Sequence, residues 1–185
     1  MKYFMIWLSI LLLFLNSPFG RVFPLEERTK LEIAFPNLEG KRVTLSDEQF
    51  KSKIILIDIW GTWCSPCRAM TPFLNEIYEK YRGQGVEIIG IAFEKPSDRN
   101  PLGTLKKYVK KNKIKYTILH AGIISEPAQK IPQLAPHLGS FPTEILLDRE
   151  GFVYHISVGY AGKRGEQNTK ARIEELLKKD SENVN

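Results

Sequence analysis

Two cysteines stand close together in the sequence Trp63-Cys64-Ser65-Pro66-Cys67, and they are the only cysteines among the 185 residues. A thiolate can attack a disulfide, and a second thiol nearby can resolve the mixed disulfide that forms. The spacing therefore predicts a dithiol that cycles with a disulfide, in which Cys64 is the nucleophile and Cys67 the resolving thiol. With a single pair, a scaffold of several disulfides is excluded.

The sequence before the cysteines predicts a strand, and the sequence after them predicts a helix. Residues 53–60 contain an almost continuous apolar run that Asp58 interrupts, which is typical of a buried strand in a parallel sheet. Apolar residues then recur with helical spacing between positions 70 and 81, and Pro72 is expected to kink that helix. Because the N-terminal end of a helix favours a thiolate, we expect Cys64 to be the reactive sulfur.

Strands and helices alternate through the rest of the chain, which predicts an α/β fold. Parallel strands joined by helices and finished by a hairpin and a helix indicate a three-layer α/β/α sandwich with a central mixed sheet. Catalytic groups in such folds collect at the C-terminal ends of the strands. The predicted elements are an N-terminal β-hairpin within residues 31–45, strands at 86–93, 116–119, 143–147 and 152–158, a turn at 148–151, and helices at 101–112, 126–133 and 169–179.

Residues 58–67, Asp-Ile-Trp-Gly-Thr-Trp-Cys-Ser-Pro-Cys, resemble the active-site signature of the thioredoxin superfamily. Phe141 and Pro142 precede a predicted strand, as the cis-proline loop does in that superfamily, and Pro72 matches its kinking proline. The resemblance spans residues 31–179 and implies the thioredoxin fold.

The exported TlpA/ResA-like branch of the superfamily is the one that the chain resembles most, through its leader, its hairpin and the sequence of residues 60–64. This resemblance implies a protein thiol-disulfide oxidoreductase that acts as a reductant outside the cytoplasm. Residues 98–140 are then an insertion before the cis-proline loop, which either encodes the choice of partner or is structural.

The resemblance also implies roles for individual residues. Cys64 and Cys67 are expected to form the redox-active disulfide, while Asp58 aligns with the buried acid of cytoplasmic thioredoxins and Glu94 with that of ResA-like proteins. A buried carboxyl can act as a base near neutral pH, so we expect the two acids to share the deprotonation of Cys67. The alternatives are that Asp58 ends a strand in solvent and that Glu94 begins a polar loop.

Four apolar residues are expected to bind the substrate chain. Trp63 and Pro66 offer an apolar surface and a restricted backbone beside the sulfur. Phe141 and Pro142 are expected to face the cysteines from the cis-proline loop.

The first twenty residues are expected to direct export. An apolar run of twelve residues, from Phe4 to Leu15, is shorter than the roughly 20 residues of a membrane span, yet no typical cleavage site follows it. We expect the active domain to lie in the periplasm or another extracytoplasmic compartment, where disulfides persist. The predicted domain boundaries are a signal peptide or membrane anchor at 1–20, a linker at 21–30, a thioredoxin-like domain at 31–180 and a polar tail at 181–185.

The net charge of +6 at pH 7 makes the chain mildly basic, and six lysines lie within residues 106–115. They are expected to form a solvated helix face, with a docking patch for an acidic partner or an anionic membrane as the alternative. No nucleic-acid motif is present. We expect a monomer without a cofactor.

A disulfide reductase is the leading functional prediction. Its expected partners are exported proteins with disulfides, apocytochromes before haem attachment among them, and a membrane thiol reductase as electron donor. An oxidase would use the same cysteines, but Ser65-Pro66 offers no obvious group that stabilises a thiolate. A metal-binding domain lacks two further ligands, and a peroxidase is disfavoured because Thr62 precedes Cys64 by two positions rather than three.

Overall fold

The structure, a computed structural model, describes residues 29–182, with side chains to residue 179. Its strands are β1 (Ala34–Pro36), β2 (Arg42–Thr44), β3 (Ile54–Trp60), β4 (Val86–Glu94), β5 (Thr117–Ile123), β6 (Thr143–Leu147) and β7 (Val153–Val158). Its α-helices are α1 (Ser65–Tyr81), α2 (Pro101–Lys111), α3 (Pro127–Lys130) and α4 (Gly162–Glu182). Short 3-10 helices lie at Glu48–Phe50, Arg82–Gln84 and Pro132–His137.

A mixed sheet of five strands, in the order β5-β4-β3-β6-β7, lies at the centre. β3, β4 and β5 run parallel, β6 is antiparallel to β3, and β7 is antiparallel to β6. All seven residues of β3 are buried, because its central position leaves neither face in water. This explains why its sequence is nearly all apolar rather than alternating. The predicted mixed sheet is confirmed.

The two faces of the sheet are covered by different elements. Helices α1, α2 and α4 pack on one face, around a core that contains both cysteines. The N-terminal segment, the β1–β2 hairpin and the short helices between β5 and β6 cover the other face. The predicted three-layer sandwich is therefore confirmed. The first core includes Leu56, Trp60, Met70, Leu105 and Ile173, and the second includes Ile33, Phe35, Ile57, Phe93 and Leu134.

Residues 30–37, which include β1, extend from one edge of the sheet to the other. Lys30 forms a bridge with Phe152 beside β7, and Asn37 forms another with Leu119 in β5, at the opposite edge. The Thr29 carbonyl also accepts a hydrogen bond from the Val153 N–H at 2.9 Å. Residues 29 and 30, predicted as the end of a linker, thus pair with the sheet, and the predicted N-terminal hairpin is confirmed.

Two helices differ from the sequence prediction. The helix expected at 126–133 is instead α3 followed by a 3-10 helix, because Pro132 lacks the N–H that would continue α3. The last helix starts at Gly162, seven residues before the predicted position, in a stretch whose glycines and polar residues give no apolar period. It also continues to Glu182, past the predicted domain end at 180.

The insertion at residues 98–140 builds part of the sheet. It supplies α2, the edge strand β5 and α3, and Leu105 of α2 is fully buried. These contacts support a structural role. The leader predicted at 1–20 lies outside the described residues, and within 29–182 no helix is long and apolar enough to cross a membrane.

Candidate active site

The two cysteines form a disulfide at the N-terminal end of α1, with their Cα atoms 5.3 Å apart. Cys64 caps the helix, and its sulfur accepts a hydrogen bond from the Cys67 backbone N–H at 3.2 Å. Pro66 lies in the first turn, where the missing N–H costs no helical hydrogen bond. The Cys64 sulfur therefore lies at the partly positive end of the helix, which favours the thiolate that forms on reduction.

The turn between β3 and α1 is held in place by the end of β4. The Trp63 indole N–H donates to the Phe93 carbonyl at 2.9 Å. Gly61 lies so close to these two residues that a Cβ atom there would collide with the indole and with the carbonyl. The close approach requires glycine and fixes the turn that presents Cys64.

Glu94 is the last residue of β4, and only 1% of it is exposed. One of its carboxyl oxygens accepts the Thr62 backbone N–H at 2.9 Å, and the other accepts the Thr62 hydroxyl at 2.7 Å. Both oxygens thus bind the turn two residues before Cys64. Thr62 is therefore a site residue, although its position in the sequence served only to argue against a peroxidase.

The cis-proline loop lies beside the cysteine turn. The Phe141–Pro142 peptide bond is cis, as the resemblance implied. The Phe141 ring packs edge-on against Trp63, with ring centroids 5.2 Å apart, and the Lys95 ammonium lies 5.6 Å from the centre of the Trp63 ring. Three predicted substrate contacts, Trp63, Phe141 and Pro142, thus adjoin one another, and Pro66 is exposed on the helix next to Cys64.

Asp58 lies in the middle of β3, on the sheet face that carries α1. It alternates with Leu56 and Trp60, which belong to the same core as both cysteines. Only 2% of Asp58 is exposed, and its Oδ1 accepts no hydrogen bond within the described part of the chain. Burial raises the pKa of this carboxyl well above its ordinary value of 3.8, and the charge of Glu144 raises it further.

Glu144 is a second buried acid on this face, and it is not among the site residues predicted from the sequence. It is 8% exposed, and its Oε2 accepts the Thr169 hydroxyl of α4 at 3.0 Å. Burial raises the pKa of Glu144 to about 7. The sequence marks Glu144 in the same way as Asp58, because each acid is the only charge in an apolar strand, here β6.

The six lysines of residues 106–115 are exposed on and beyond α2, while Leu105 of that helix is buried. This is the arrangement of a solvated helix face. Among residues 29–182, no group of three or more His, Cys, Asp or Glu side chains is placed to hold a metal ion.

The architecture and the cysteine pair together define the class of protein. A mixed sheet with this strand order, a disulfide at the start of the helix after its central strand and a cis-proline loop beside it make up a thioredoxin fold with a redox site. The chain is a thiol-disulfide oxidoreductase.

The chain belongs to the AhpC/TSA family, whose model matches residues 28–156. It is 34% identical over 182 residues to the thiol-disulfide oxidoreductase ResA of Bacillus cereus, with 92% of each chain covered. The ResA protein of Bacillus thuringiensis is 35% identical, with 85% of this chain and 82% of that one covered. The predicted membership of the thioredoxin superfamily, close to ResA, is confirmed.

Solved structures have the same fold. A putative thiol:disulfide interchange protein DsbE from Chlorobium tepidum superposes with a TM-score of 0.66 at 24% identity, covering 81% of this chain and 96% of that one. A DsbF homologue from Corynebacterium diphtheriae also gives 0.66, at 25% identity, covering 86% and 96%.

Proposed function

We propose that this protein reduces disulfides in exported proteins outside the cytoplasm, with Cys64 as nucleophile and Cys67 as resolving thiol. The observation that carries the proposal is the disulfide at the start of α1, where the Cys67 N–H donates to the Cys64 sulfur. The similarity to the thiol-disulfide oxidoreductase ResA of two Bacillus species supports this chemistry.

The reaction transfers two electrons from the dithiol to the substrate. The Cys64 thiolate attacks one sulfur of the substrate disulfide and the other sulfur leaves as a thiolate, so that a mixed disulfide forms. Cys67 gives up its proton and attacks the Cys64 sulfur, which releases the second substrate sulfur as a thiolate. The enzyme is left with the Cys64–Cys67 disulfide, and a membrane thiol reductase is the proposed donor that reduces it again.

Asp58 is the proposed acceptor of the Cys67 proton. It lies on the sheet face that supports α1, and burial raises its pKa well above the ordinary value, which favours the protonated form that results when it accepts a proton. Glu94, which was expected to share this role, has both oxygens bound to Thr62. Its proposed contribution is to hold the turn before Cys64.

The direction of electron flow depends on how strongly the thiolate is stabilised, because a stabilised thiolate makes the disulfide a stronger oxidant. In the described part of the chain, the hydrogen bond to the Cys64 sulfur comes from a backbone N–H. Ser65 and Pro66 are exposed, and β3 and β6 place the acids Asp58 and Glu144 on the sheet face beneath α1. This environment favours a reducing couple.

The reduction potential of the Cys64–Cys67 couple tests this direction. Residues 29–185 are equilibrated with defined thiol–disulfide buffers, and free thiols are trapped and counted. A potential near or below about −270 mV supports a reductant, while one towards about −120 mV would replace this proposal with an oxidase. Absence of a reversible couple would contradict both.

Trapping the mixed disulfide tests the substrates and the compartment. In the full chain, Cys67→Ser is expected to retain substrates covalently on Cys64, while the matched Cys64→Ser variant retains none. The captured proteins are expected to be exported ones, with apocytochromes as one proposed class. Capture of cytoplasmic proteins alone, or cysteines that a membrane-impermeant thiol reagent does not reach in intact cells, would contradict the proposed location.

A further inference from the structure

Two acids lie side by side on neighbouring strands, on the sheet face that carries α1. In the antiparallel pairing of β3 and β6, Asp58 is the partner of Glu144, and residues opposite each other place their side chains on the same face with Cβ atoms roughly 5 Å apart. Like charges in such a position repel one another. Asp58 and Glu144 thus form a buried acid pair in which the charge of one acid disfavours the charge of the other.

The two members of the pair differ in their surroundings. Glu144 receives the Thr169 hydroxyl, and 8% of it is exposed, whereas Asp58 is 2% exposed. A hydrogen bond to a carboxylate stabilises the charged form, so Glu144 ionises first. Its charge then opposes the ionisation of Asp58, in the direction that raises the Asp58 pKa.

Glu144 lines a cavity that could connect it to water. A cavity of about 240 Å³ lies between α1, β7 and α4, and Glu144 is part of its lining, whereas Asp58 is not. Met70 and Phe73 of α1 form an apolar side of it. The charged and titratable groups that face the pair are Tyr108 of α2, Tyr116 before β5, His155 of β7, Tyr160 before α4, and Glu166 and Arg172 of α4.

We propose that Glu144 is a positioning residue for the redox reaction, whose charge sets the pH at which Asp58 accepts the proton of Cys67. The inference rests on the proposed function, since it gives Asp58 the role of proton acceptor. Ionised Glu144 holds the proton on Asp58, and neutral Glu144 lets Asp58 ionise and serve as a base. Glu144 exchanges its own proton with water through the cavity.

Stopped-flow reduction of dithiobis-nitrobenzoate by the full chain distinguishes the reactions of the two cysteines. The first phase of thionitrobenzoate release reports attack by Cys64, and the second reports resolution by Cys67. In Glu144→Gln, the pH midpoint of the second phase is expected to fall by about one pH unit, because the charge that opposes Asp58 ionisation is gone. The pH midpoint of the first phase is expected to stay unchanged.

Thr169→Val tests the same coupling while the carboxyl stays in place. Without the hydroxyl, Glu144 remains neutral to a higher pH, so the second-phase midpoint is expected to fall in the same direction by a smaller amount. The matched charge control is Glu175→Gln. It removes a carboxyl of α4 that is 51% exposed. This control is expected to leave both midpoints unchanged.

Asp58→Asn decides whether Glu144 acts through Asp58. Adding Glu144→Gln to that variant is expected to cause no further change in the pH midpoint of the second phase. The inference is overturned if Glu144→Gln leaves the second-phase midpoint unchanged while Asp58→Asn moves it, or if the Glu144 effect persists without Asp58. Both of these outcomes leave the proposed function intact. A reaction with no second phase would overturn the proposed function as well, because Cys67 would then resolve nothing.

Discussion

Buried acids lie in two regions near the cysteines, and they differ in how their oxygens are bound. At the end of β4, Glu94 uses both oxygens to bind the backbone and hydroxyl of Thr62. In the middle of the sheet, Asp58 and Glu144 each keep one oxygen without a hydrogen bond from the described residues. Burial is almost the same in the two regions, since all three residues are at most 8% exposed.

The difference shows that burial alone does not make an acid a proton carrier. A carboxylate that accepts hydrogen bonds with both oxygens is stabilised as the charged form and fixes the groups that bind it. An acid that is buried without such partners is stabilised as the neutral form, which raises its pKa. We therefore expect Glu94 to govern the geometry of the site, and the Asp58–Glu144 pair to govern its dependence on pH.

The largest expected effect comes from Glu94→Ala. The substitution leaves the Thr62 N–H and hydroxyl without their acceptors, which is expected to lower the free energy of unfolding by about 4 kcal/mol. Urea unfolding of the oxidised protein measures this loss.

Glu94→Gln is the matched variant for this prediction, because its amide oxygen can still accept one of the two hydrogen bonds. It is expected to lose roughly half as much stability as Glu94→Ala. A loss below about 1 kcal/mol in Glu94→Ala would mean that the carboxyl does not hold the Thr62 turn, and would remove the distinction between the two regions.

The second prediction concerns the pH dependence that Glu144 gives to stability. Its pKa in the folded protein is about 7, against an ordinary 4.5. The folded state therefore binds more protons than the unfolded state in that interval, and the resulting stability is present below about pH 4.5 and lost as the pH rises to about 7. The loss is on the order of 3 kcal/mol. Glu144→Gln is expected to remove this slope and to be the more stable protein at about pH 8.

The measurement is urea unfolding of the wild type and Glu144→Gln at about pH 4.5 and about pH 8. Glu175→Gln, from the exposed surface, controls for the change in net charge. If the two proteins kept the same difference in stability at both pH values, Glu144 would not change its charge in this interval, and the contrast with Glu94 would fail.

Local patterns predicted the parts of the site that depend on neighbours in the sequence. The strand, the cysteine motif and the start of α1 follow one another directly, so the position of Cys64 at a strand-to-helix junction could be predicted from periodicity. The resemblance to the thioredoxin superfamily added the cis-proline at Pro142 and the two acids Asp58 and Glu94. In the structure the Phe141–Pro142 bond is cis, Glu94 binds Thr62 of the cysteine turn, and Asp58 is buried on the sheet face that carries α1.

The Asp58–Glu144 pair could not be predicted, because it depends on a register between strands that are distant in sequence. Each acid is a lone charge in an apolar strand, but only the antiparallel register of β3 and β6 brings them opposite each other. A shift by one residue would place Glu144 on the other face. Partners such as Thr169 were missed for the same reason, since α4 packs on the site from the end of the chain.

The smallest effect is expected from Trp63→Phe, which tests how far the turn depends on hydrogen bonds other than those of Glu94. The variant keeps an aromatic ring beside Phe141 and loses the indole hydrogen bond to the Phe93 carbonyl, so it should lose about 1 kcal/mol of stability at every pH. Thermal unfolding of the oxidised protein, compared with Phe141→Leu, separates the hydrogen bond from the ring contact. A loss as large as that in Glu94→Ala would mean that the indole, rather than the carboxylate, fixes the cysteine turn.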